Sequence, residues 1–312
     1  MTVSDVGEFG LLARIFPRLP QSPATLLGPG DDAAVVAAPD SRVVATTDLL
    51  LEGRHFRQDW SSPYDVGRKA AAQNLADVAA MGATPTALLV GLACPPSTPL
   101  TWPEQFADGL RDECDLVGAA VVGGDLAKSD TILISITALG DLAGRPPVTR
   151  AGARPGDQVA VAGRLGWSAG GYAVLSRGFR TPRALVEAHR RPDPPYACGP
   201  AGAMLGATAM CDVSDGLVGD LGHIASASGV CVELESKAFP ITRQMSDAAQ
   251  ALGQDPLRWV LTGGEDHALA ATFPSDVELA EPWLVVGRVT RGEGVLVDGE
   301  AYDRGGFDHF RG

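Results

Sequence analysis

Residues 61–94 read SSPYDVGRKAAAQNLADVAAMGATPTALLVGLAC, and this stretch indicates the architecture. A serine cap, the early Asp65, an alanine-rich body and Gly82 together predict a helix over 61–82. The apolar run at 84–94 is typical of a buried strand. A helix that leads directly into a buried strand predicts a domain in which helices pack on a sheet.

The flanking sequence extends this pattern. GEFGLLARIFPRL (7–19) predicts a short amphipathic helix, and PEQFADGLRDECDLVG (103–118) predicts another. AAVVAA (33–38) and RVVATT (42–47) are separated by PDS, which predicts a hairpin. Two further strands are predicted at 118–125 and 130–142. Strands and helices alternate irregularly, so we expect mixed α and β layers and not a strict doubly wound sheet.

A second unit is predicted after GRPPVTRAGARPGD (144–157), where Gly, Pro and Arg are concentrated as in a linker. DQVAVAG (157–163) then predicts the first strand of that unit. Further elements are expected as helices near 168–178, 199–210 and 215–228 and as strands near 230–235, 266–273 and 283–289. We therefore expect two domains, 1–145 and 146–312.

Composition excludes several classes of protein. The 312 residues are 45% hydrophobic and 20% charged, which argues against disorder. The net charge of -13 argues against general nucleic-acid binding, which requires basic residues against phosphates. No apolar run is long enough for a membrane span, and MTVSDVGEFG lacks the pattern of a secretory signal. Five scattered cysteines without CxxC spacing suggest neither zinc nor disulfides, so we expect a cytoplasmic protein.

Acidic residues stand at glycine-rich turns, at strand ends and on one helix. They lie in GPGDDAAVV (28–36), TTDLLLEGRHF (46–56), NLADVAAMG (74–82), VVGGD (121–125), MCDVSDGL (210–217) and LTGGED (261–266). Each aspartate alone is typical of a turn or a helix cap. Together they form an oxygen-rich set that suits Mg²⁺ or Ca²⁺ better than zinc. The neighbouring glycines allow the backbone to approach a phosphate closely. The set therefore predicts a metal-bridged phosphate site.

The common nucleotide-binding motifs are absent from the sequence. There is no GxxxxGK[ST], no GxGxxG after a strand, no HRD with DFG and no GxSxG, which argues against a Walker NTPase, a Rossmann enzyme, a protein kinase and an α/β-hydrolase. Only three lysines occur, Lys69, Lys128 and Lys237. We interpret Lys69 and Lys128 as surface residues, so Mg²⁺ and arginine are expected to neutralise phosphate charge.

The motifs quoted above, together with the terminal GGFDHF (305–310), resemble the thiamine-monophosphate kinase family. That family belongs to the superfamily of aminoimidazole ribonucleotide synthetase, and the resemblance extends in order from GEFGLL to GGFDHF. It implies a two-domain α+β fold with mixed sheets and packed helices. It also implies an N-terminal ATP/metal-binding domain that pairs in a homodimer. The implied reaction transfers phosphate from ATP to thiamine monophosphate, giving thiamine diphosphate and ADP.

The resemblance also implies roles for individual residues. The implied Mg²⁺ ligands, for several ions, are Asp31, Thr46, Thr47, Asp48, Asp77, Asp125, Asp212 and Asp215. The implied ATP contacts are Gly124, Asp125, Arg150 and Ser214. The implied substrate contacts are His55, Glu265 and Phe307. The family's GGED is commonly followed by Tyr-Glu, whereas His267 and Ala268 follow it here.

The chemistry of such a site is consistent with these residues. The acceptor phosphate has a second pKa of about 6, so it is mostly ionised at neutral pH and needs no strong base. The expected mechanism is a direct in-line transfer that depends on positioning and charge neutralisation, without a covalent residue. Two alternatives remain open at this point: another ATP-dependent enzyme of the superfamily, and a non-catalytic metal- or nucleotide-binding protein on the same scaffold.

Overall fold

The computed structural model describes residues 1–28 and 34–302. The chain divides into two compact units. The first unit contains residues 1–78 and 83–145, and the second contains 79–82 and 146–312. Both units combine helices with β-sheets, so the α+β class predicted from the sequence is confirmed.

The first unit is built on a four-stranded sheet with the strand order β3-β6-β4-β5. Its elements are α1 (Val3–Ile15), β1 (Thr25–Leu27), β2 (Val35–Val36), β3 (Val44–Leu51), α2 (Pro63–Ala80), β4 (Thr84–Cys94), α3 (Thr101–Cys114), β5 (Ala120–Lys128) and β6 (Leu133–Asp141). Strand alternation sends Leu50, Leu88, Ile134 and Ile136 to one face, where all four are buried. The opposite face is only partly covered. Leu49 on that face is 58% exposed.

The helix and strand predicted over 61–94 are confirmed as α2 and β4. The predicted hairpin between 33–38 and 42–47 is wrong. The short β2 pairs with β1, whereas β3 pairs along its full length with β6. Val36 packs beside a small apolar cluster that contains Ala87 and Val122. The apolar run before PDS is therefore used to cover the sheet and not to extend it.

The second unit contains a seven-stranded sheet with the order β13-β12-β9-β11-β7-β10-β8. Its elements are β7 (Gln158–Ala162), α4 (Trp167–Ser176), α5 (Arg183–Arg190), α6 (Cys198–Met204), β8 (Ala209–Val213), α7 (Leu217–Ser228), β9 (Cys231–Leu234), α8 (Arg243–Leu252), α9 (Pro256–Thr262), β10 (Ala268–Phe273), β11 (Trp283–Thr290), β12 (Gly294–Val297) and β13 (Glu300–Ala301). The predicted helix over 199–210 is too long, because its last residues belong to β8.

The core of the second unit places β8 and β10 side by side. β10 pairs antiparallel with β8, and Ala268 lies opposite Val213. Phe273 and Trp283 meet edge to face at 5.0 Å between ring centroids within a buried cluster that also contains Met210. Because the two strands are antiparallel neighbours, the loop after β8 and the loop before β10 lie at the same end of this strand pair.

Candidate functional site

In the first unit, β3 and α2 bring two of the predicted acidic residues to one face. The Thr46 hydroxyl donates a hydrogen bond to Asp77 Oδ2 at 2.7 Å. Asp48 lies two residues after Thr46 on the same strand, so strand alternation directs it to the same face. Asn74 precedes Asp77 on α2, and its buried Oδ1 has no hydrogen-bond partner among the described residues. This face of β3 is therefore rich in oxygen donors.

Thr47 lies on the other face of β3. Its hydroxyl donates to the Ile136 carbonyl at 3.0 Å and accepts from the Thr137 hydroxyl at 3.2 Å. The structure therefore separates the Thr47 side chain from the face that carries Thr46, Asp48 and Asp77, although the sequence resemblance groups all four.

Gly124 and Asp125 lie on β5, at the edge of the sheet opposite to β3. The register places Gly124 in the row of Asp48 and Asp125 in the adjacent row, which points to the other face. Three strand spacings separate the two edges, about 14 Å. Asp125 is exposed, and its Oδ1 accepts the Leu126 N–H at 2.9 Å. Within one chain, Asp48 and Asp125 are therefore not brought together.

Gly124 has a structural reason to be glycine. A Cβ at this position would lie 1.9 Å from the Val90 carbonyl oxygen of β4. The close approach of β5 to β4 therefore excludes any side chain at this position. This packing reason for glycine is separate from the expected approach of a phosphate.

His55 lies in the turn that follows β3. Its Nδ1 accepts the Leu51 N–H at 2.9 Å, and its carbonyl oxygen accepts from Lys69 Nζ at 3.1 Å. Lys69 is only 2% exposed, so its interpretation as a surface residue is wrong. Sequence reasoning missed it because the alanine-rich helix gave no sign of which face would be covered.

In the second unit, the loop after β8 and the loop before β10 are joined by backbone hydrogen bonds. The Glu265 N–H donates to the Ser214 carbonyl at 2.8 Å, and the His267 N–H donates to the Val213 carbonyl at 3.0 Å. A Cβ on Gly264 would lie 2.1 Å from the Ser214 carbonyl oxygen. Glu265 and His267 both adopt positive φ, a costly conformation for residues other than glycine. The structure thus brings the two predicted motifs together.

Asp212 and His267 form a buried pair at this end of β8 and β10. His267 Nδ1 lies 3.0 Å from Asp212 Oδ2, and both residues are almost fully buried. Asp220, which the sequence analysis did not single out, lies nearby and accepts the N–H groups of Asp215 and Gly216, each at 3.1 Å. Burial, followed by the charge of Asp212, raises the pKa of Asp220 to about 7. Asp220 therefore fixes the turn that carries Asp215.

Glu265 contacts both the loop after β8, through its backbone, and α5, through its side chain. His189 Nδ1 lies 3.5 Å from Glu265 Oε2 and 3.1 Å from the Ser168 hydroxyl. The adjacent Asp266 has a structural role, because it accepts the N–H groups of Gly166 and Ser168 at 2.6 and 2.7 Å at the start of α4. The glutamate side chain is partly exposed while its neighbour is buried. Glu265 is therefore the acid of this loop that is available to a ligand.

Arg150 belongs to the second unit and is exposed. Its carbonyl accepts the Ser228 hydroxyl at 3.0 Å, and its charge lowers the pKa of Asp220, against the larger effect of burial. The guanidinium therefore lies within electrostatic reach of the buried acids. Arg150 therefore provides a positive charge that a phosphate can approach from solvent.

Two predicted site residues, Asp31 and Phe307, lie outside the described residues. Within residues 1–28 and 34–302 there is no group of three or more His, Cys, Asp or Glu side chains placed to hold one metal ion. No described helix is long and apolar enough to cross a membrane.

Both units match models of one protein family. Residues 30–142 match AIR synthase related protein, N-terminal domain, and residues 154–299 match the C-terminal domain of the same family.

Curated relatives match nearly the whole chain. A protein of Mycobacterium tuberculosis named thiamine-monophosphate kinase is 49% identical over 96% of this chain and 90% of its own length. A protein of the same name from Corynebacterium glutamicum is 41% identical over 93% of this chain and 88% of its own.

Solved structures give the same picture. The thiamine-monophosphate kinase of Stenotrophomonas maltophilia K279a superposes with a TM-score of 0.83 at 35% identity, over 95% of this chain and 98% of that one. A structure described as AaThiL complexed with AMPPCP and TMP superposes with a TM-score of 0.83 at 35% identity, over 99% of both chains.

Proposed function

Since this chain belongs to the thiamine-monophosphate kinase family of AIR synthase related proteins, we propose that its acidic strand face and its paired loops carry out that family's reaction. The chain is an ATP-dependent kinase that converts thiamine monophosphate to thiamine diphosphate. The observation that supports this most strongly is the match over 99% of the chain to a structure complexed with AMPPCP and TMP.

The donor set of the first unit fits Mg²⁺. Thr46, Asp48 and Asp77 supply only oxygen atoms, and the orphaned Asn74 Oδ1 adds another on the same helix as Asp77. Magnesium commonly uses one or two carboxylates together with substrate phosphates and seldom an all-protein cage. The lack of a three-acid group among the described residues is therefore compatible with this ion.

The proposed ligand set for several Mg²⁺ ions is Asp31, Thr46, Thr47, Asp48, Asp77, Asp125, Asp212 and Asp215. Because the Thr47 hydroxyl is used on the other face, its backbone carbonyl is the remaining candidate ligand at this position. Bound Mg²⁺ would neutralise phosphate charge and orient the phosphate oxygens. The protein's part is to hold these carboxylates in place before the substrates arrive.

The two nucleotide-contact groups are proposed on separate units. Gly124 and Asp125 on β5 and Arg150 and Ser214 on the second unit are the proposed ATP contacts. The exposed guanidinium of Arg150 offers a fork of donors that matches phosphate geometry. Ser214 is supported by its direct backbone link to the loop of Glu265.

The substrate contacts are proposed as His55, Glu265 and Phe307. Glu265 is partly exposed and is held by His189, so it offers a fixed negative charge to the cationic thiazolium ring of the substrate. Phe307 would pack on the substrate's ring, as aromatic faces do with cations.

Phosphoryl transfer at this site needs no covalent residue. The acceptor is a phosphate monoester that is mostly ionised at neutral pH, so it attacks the γ-phosphoryl group of ATP without a strong base. The chain's contribution is positioning and charge, which converts an encounter of two polyanions into an ordered reaction. We propose direct in-line transfer on this basis.

A homodimer through the first unit is also proposed. The outer face of its sheet exposes Leu49 and Leu89, by 58% and 38% of their surface. Asp48 and Asp125 lie on opposite edges and faces of that sheet, so one ion shared by both requires a second copy of the chain. The partly exposed apolar outer face, which carries Leu49 and Leu89, supports pairing of the two sheets.

Mixing inactive variants tests this pairing. Asp48→Asn and Asp125→Asn chains are purified separately, then combined and allowed to exchange subunits. If each site uses Asp48 of one chain and Asp125 of the other, hybrid dimers contain one intact site and activity returns. No recovery, with subunit exchange verified by mass, would contradict the shared site.

We also propose that the enzyme works in the cytoplasm. All five cysteines lie in the described part of the chain, and all are buried and unpaired. Burial raises the pKa of the Cys94, Cys114, Cys198 and Cys211 thiols, which keeps them unreactive. Such usage suits a reducing compartment.

The activity is tested by incubating the purified protein with Mg·ATP and thiamine monophosphate. Thiamine diphosphate and ADP are expected in equal amounts, and omission of Mg²⁺ is expected to stop the reaction. Aminoimidazole-type substrates run in parallel would reveal another enzyme of the superfamily. Turnover of those substrates without any thiamine diphosphate would overturn the assignment.

A further inference from the structure

Lys69 is a buried lysine beside a proposed substrate contact. It lies on α2 and is 2% exposed, whereas the other two lysines, Lys128 and Lys237, are exposed. A buried ammonium group is costly unless it is paired or hydrogen-bonded. The position of this lysine therefore calls for a reason beyond solubility.

Lys69 fastens the turn that follows β3. Its Nζ donates to the His55 carbonyl at 3.1 Å. Within the turn, the His55 N–H donates to the Leu51 carbonyl at 3.0 Å and the Gly53 N–H donates to the Phe56 carbonyl at 2.8 Å. The backbone of His55 is thus held from α2 and from the end of β3.

The same turn fixes the protonation of the His55 ring. The Leu51 N–H lies 2.9 Å from Nδ1. A backbone N–H only donates, so Nδ1 must carry a lone pair and the ring proton must lie on Nε2. His55 is therefore a neutral ring whose Nε2–H is a donor.

We propose that Lys69 is a positioning residue: it holds the 51–56 turn so that His55 presents Nε2–H as a neutral donor to an acceptor atom of the substrate. This inference rests on the proposed function, in which His55 contacts thiamine monophosphate. It assigns His55 to binding and orientation, since a ring with the proton on Nε2 has no free lone pair directed away from Leu51.

The first arm of the test is nitrogen NMR on the whole protein with ¹⁵N-labelled histidine, in which His55→Gln identifies the His55 signals. The expected signature is a neutral ring with Nδ1 unprotonated and Nε2 protonated. A ring protonated on Nδ1 would overturn the inference. This arm needs no substituted lysine and no turnover, so it stands even if the kinase assignment fails.

The second arm compares Lys69→Met with Lys69→Arg and with the exposed-lysine control Lys237→Met. Loss of one hydrogen bond at the turn is expected to raise KM for thiamine monophosphate about tenfold in Lys69→Met. KM for ATP is expected to stay within about twofold, and the His55 spectrum is expected to show mixed tautomers. Lys69→Arg, which keeps the charge and donors, is expected to lie between Lys69→Met and the native protein.

The outcomes separate the inference from the proposed function. Native protein that makes no thiamine diphosphate overturns the proposed function, and the comparison of the His55 spectra of native protein and Lys69→Met then decides on Lys69. Native protein that is active, with Lys69→Met showing an unchanged His55 spectrum and unchanged KM, overturns the role of Lys69. An equal rise in KM for both substrates would show a general structural effect and would also overturn it.

Discussion

The two units hold their acidic residues in different ways. In the first unit, Asp48 and Asp77 lie on a strand and a helix, and one hydroxyl, that of Thr46, is hydrogen-bonded between these elements. In the second unit, Asp212 lies at the end of a strand and is buried against His267 from a neighbouring loop. One group uses regular elements and strand alternation, whereas the other uses interlocked loops with residues at positive φ.

This difference indicates a division of labour. Asp48 and Asp77 are positioned by a strand and a helix, so regular secondary structure sets the geometry of the first group. In the second unit, hydrogen bonds connect Asp212 to His267, the Asp215 N–H to Asp220 and the Glu265 N–H to Ser214. These acids are therefore held in place before any ligand binds. Activity should therefore respond most to the loss of a negative charge in the first group, and to substitutions that loosen the loops in the second.

The largest expected effect is at Asp48. Asp48→Asn removes one of the two carboxylates on the inner face of β3 while keeping its size, so kcat is expected to fall about 10³-fold. Steady-state kinetics and circular dichroism check the prediction. Asp115→Asn, at an exposed aspartate of the same unit, is the control and should keep native activity. Near-native turnover of Asp48→Asn would contradict a metal role.

Two glycines test the backbone of each unit. Gly124→Ala forces a Cβ against the Val90 carbonyl oxygen of the sheet, and Gly264→Ala forces one against the Ser214 carbonyl oxygen between the loops. Each is expected to reduce the free energy of unfolding by about 3 kcal/mol. Hydrogen exchange should show faster amide exchange in β4 and β5 for the first variant and around 212–216 for the second. Exchange spread evenly over both units in either variant would contradict this separation.

Substitution of His267 tests whether its hydrogen bond holds Asp212 in place in the second unit. His267→Phe removes the partner of Asp212, so the Mg²⁺ concentration for half-maximal activity should rise about 30-fold. His267→Asn is the matched variant, because asparagine tolerates positive φ and retains a donor, and it should restore most of the affinity. Binding of Mn²⁺ measured by calorimetry gives a readout without turnover. Equal behaviour of both variants would contradict a role for the hydrogen bond.

The smallest expected effect is a pH dependence at Asp266. Burial raises its pKa from 3.8 to about 7, so the free energy of unfolding that it contributes falls as pH rises from about 4 to about 7. Asp266→Asn removes this dependence and one of the two acceptors for Gly166 and Ser168. The variant should therefore lose more stability at pH 5 than at pH 8 in urea unfolding. A larger loss at pH 8 would contradict the assigned shift.

Much of the fold was predictable because its signals are local. The capped, alanine-rich α2 and the apolar β4 follow from composition and periodicity alone. The false hairpin before β3 shows the limit, since pairing partners are chosen by packing, and β2 is used to cover Ala87 and Val122. The end of α6 was missed for a similar reason, because Ala209 and Met210 suit a strand as well as a helix once they are buried.

The candidate site was only partly predictable. The motifs at 212–215 and 263–266 were found, and their contact follows from the antiparallel pairing of β8 and β10, which the sequence does not encode locally. The separation of Asp48 from Asp125 follows from strand order and was not visible either. Lys69 and Asp220 were missed because their importance depends on burial.

The stereochemistry of phosphoryl transfer tests the central claim most directly. The protein is supplied with thiamine monophosphate and ATP whose γ-phosphorus is chiral through oxygen isotopes, and the configuration at the β-phosphorus of the product is measured. Direct in-line transfer, with the acidic groups holding metal and no covalent residue, predicts inversion. Retention would show two successive transfers through an enzyme-bound phosphoryl group and would contradict the account.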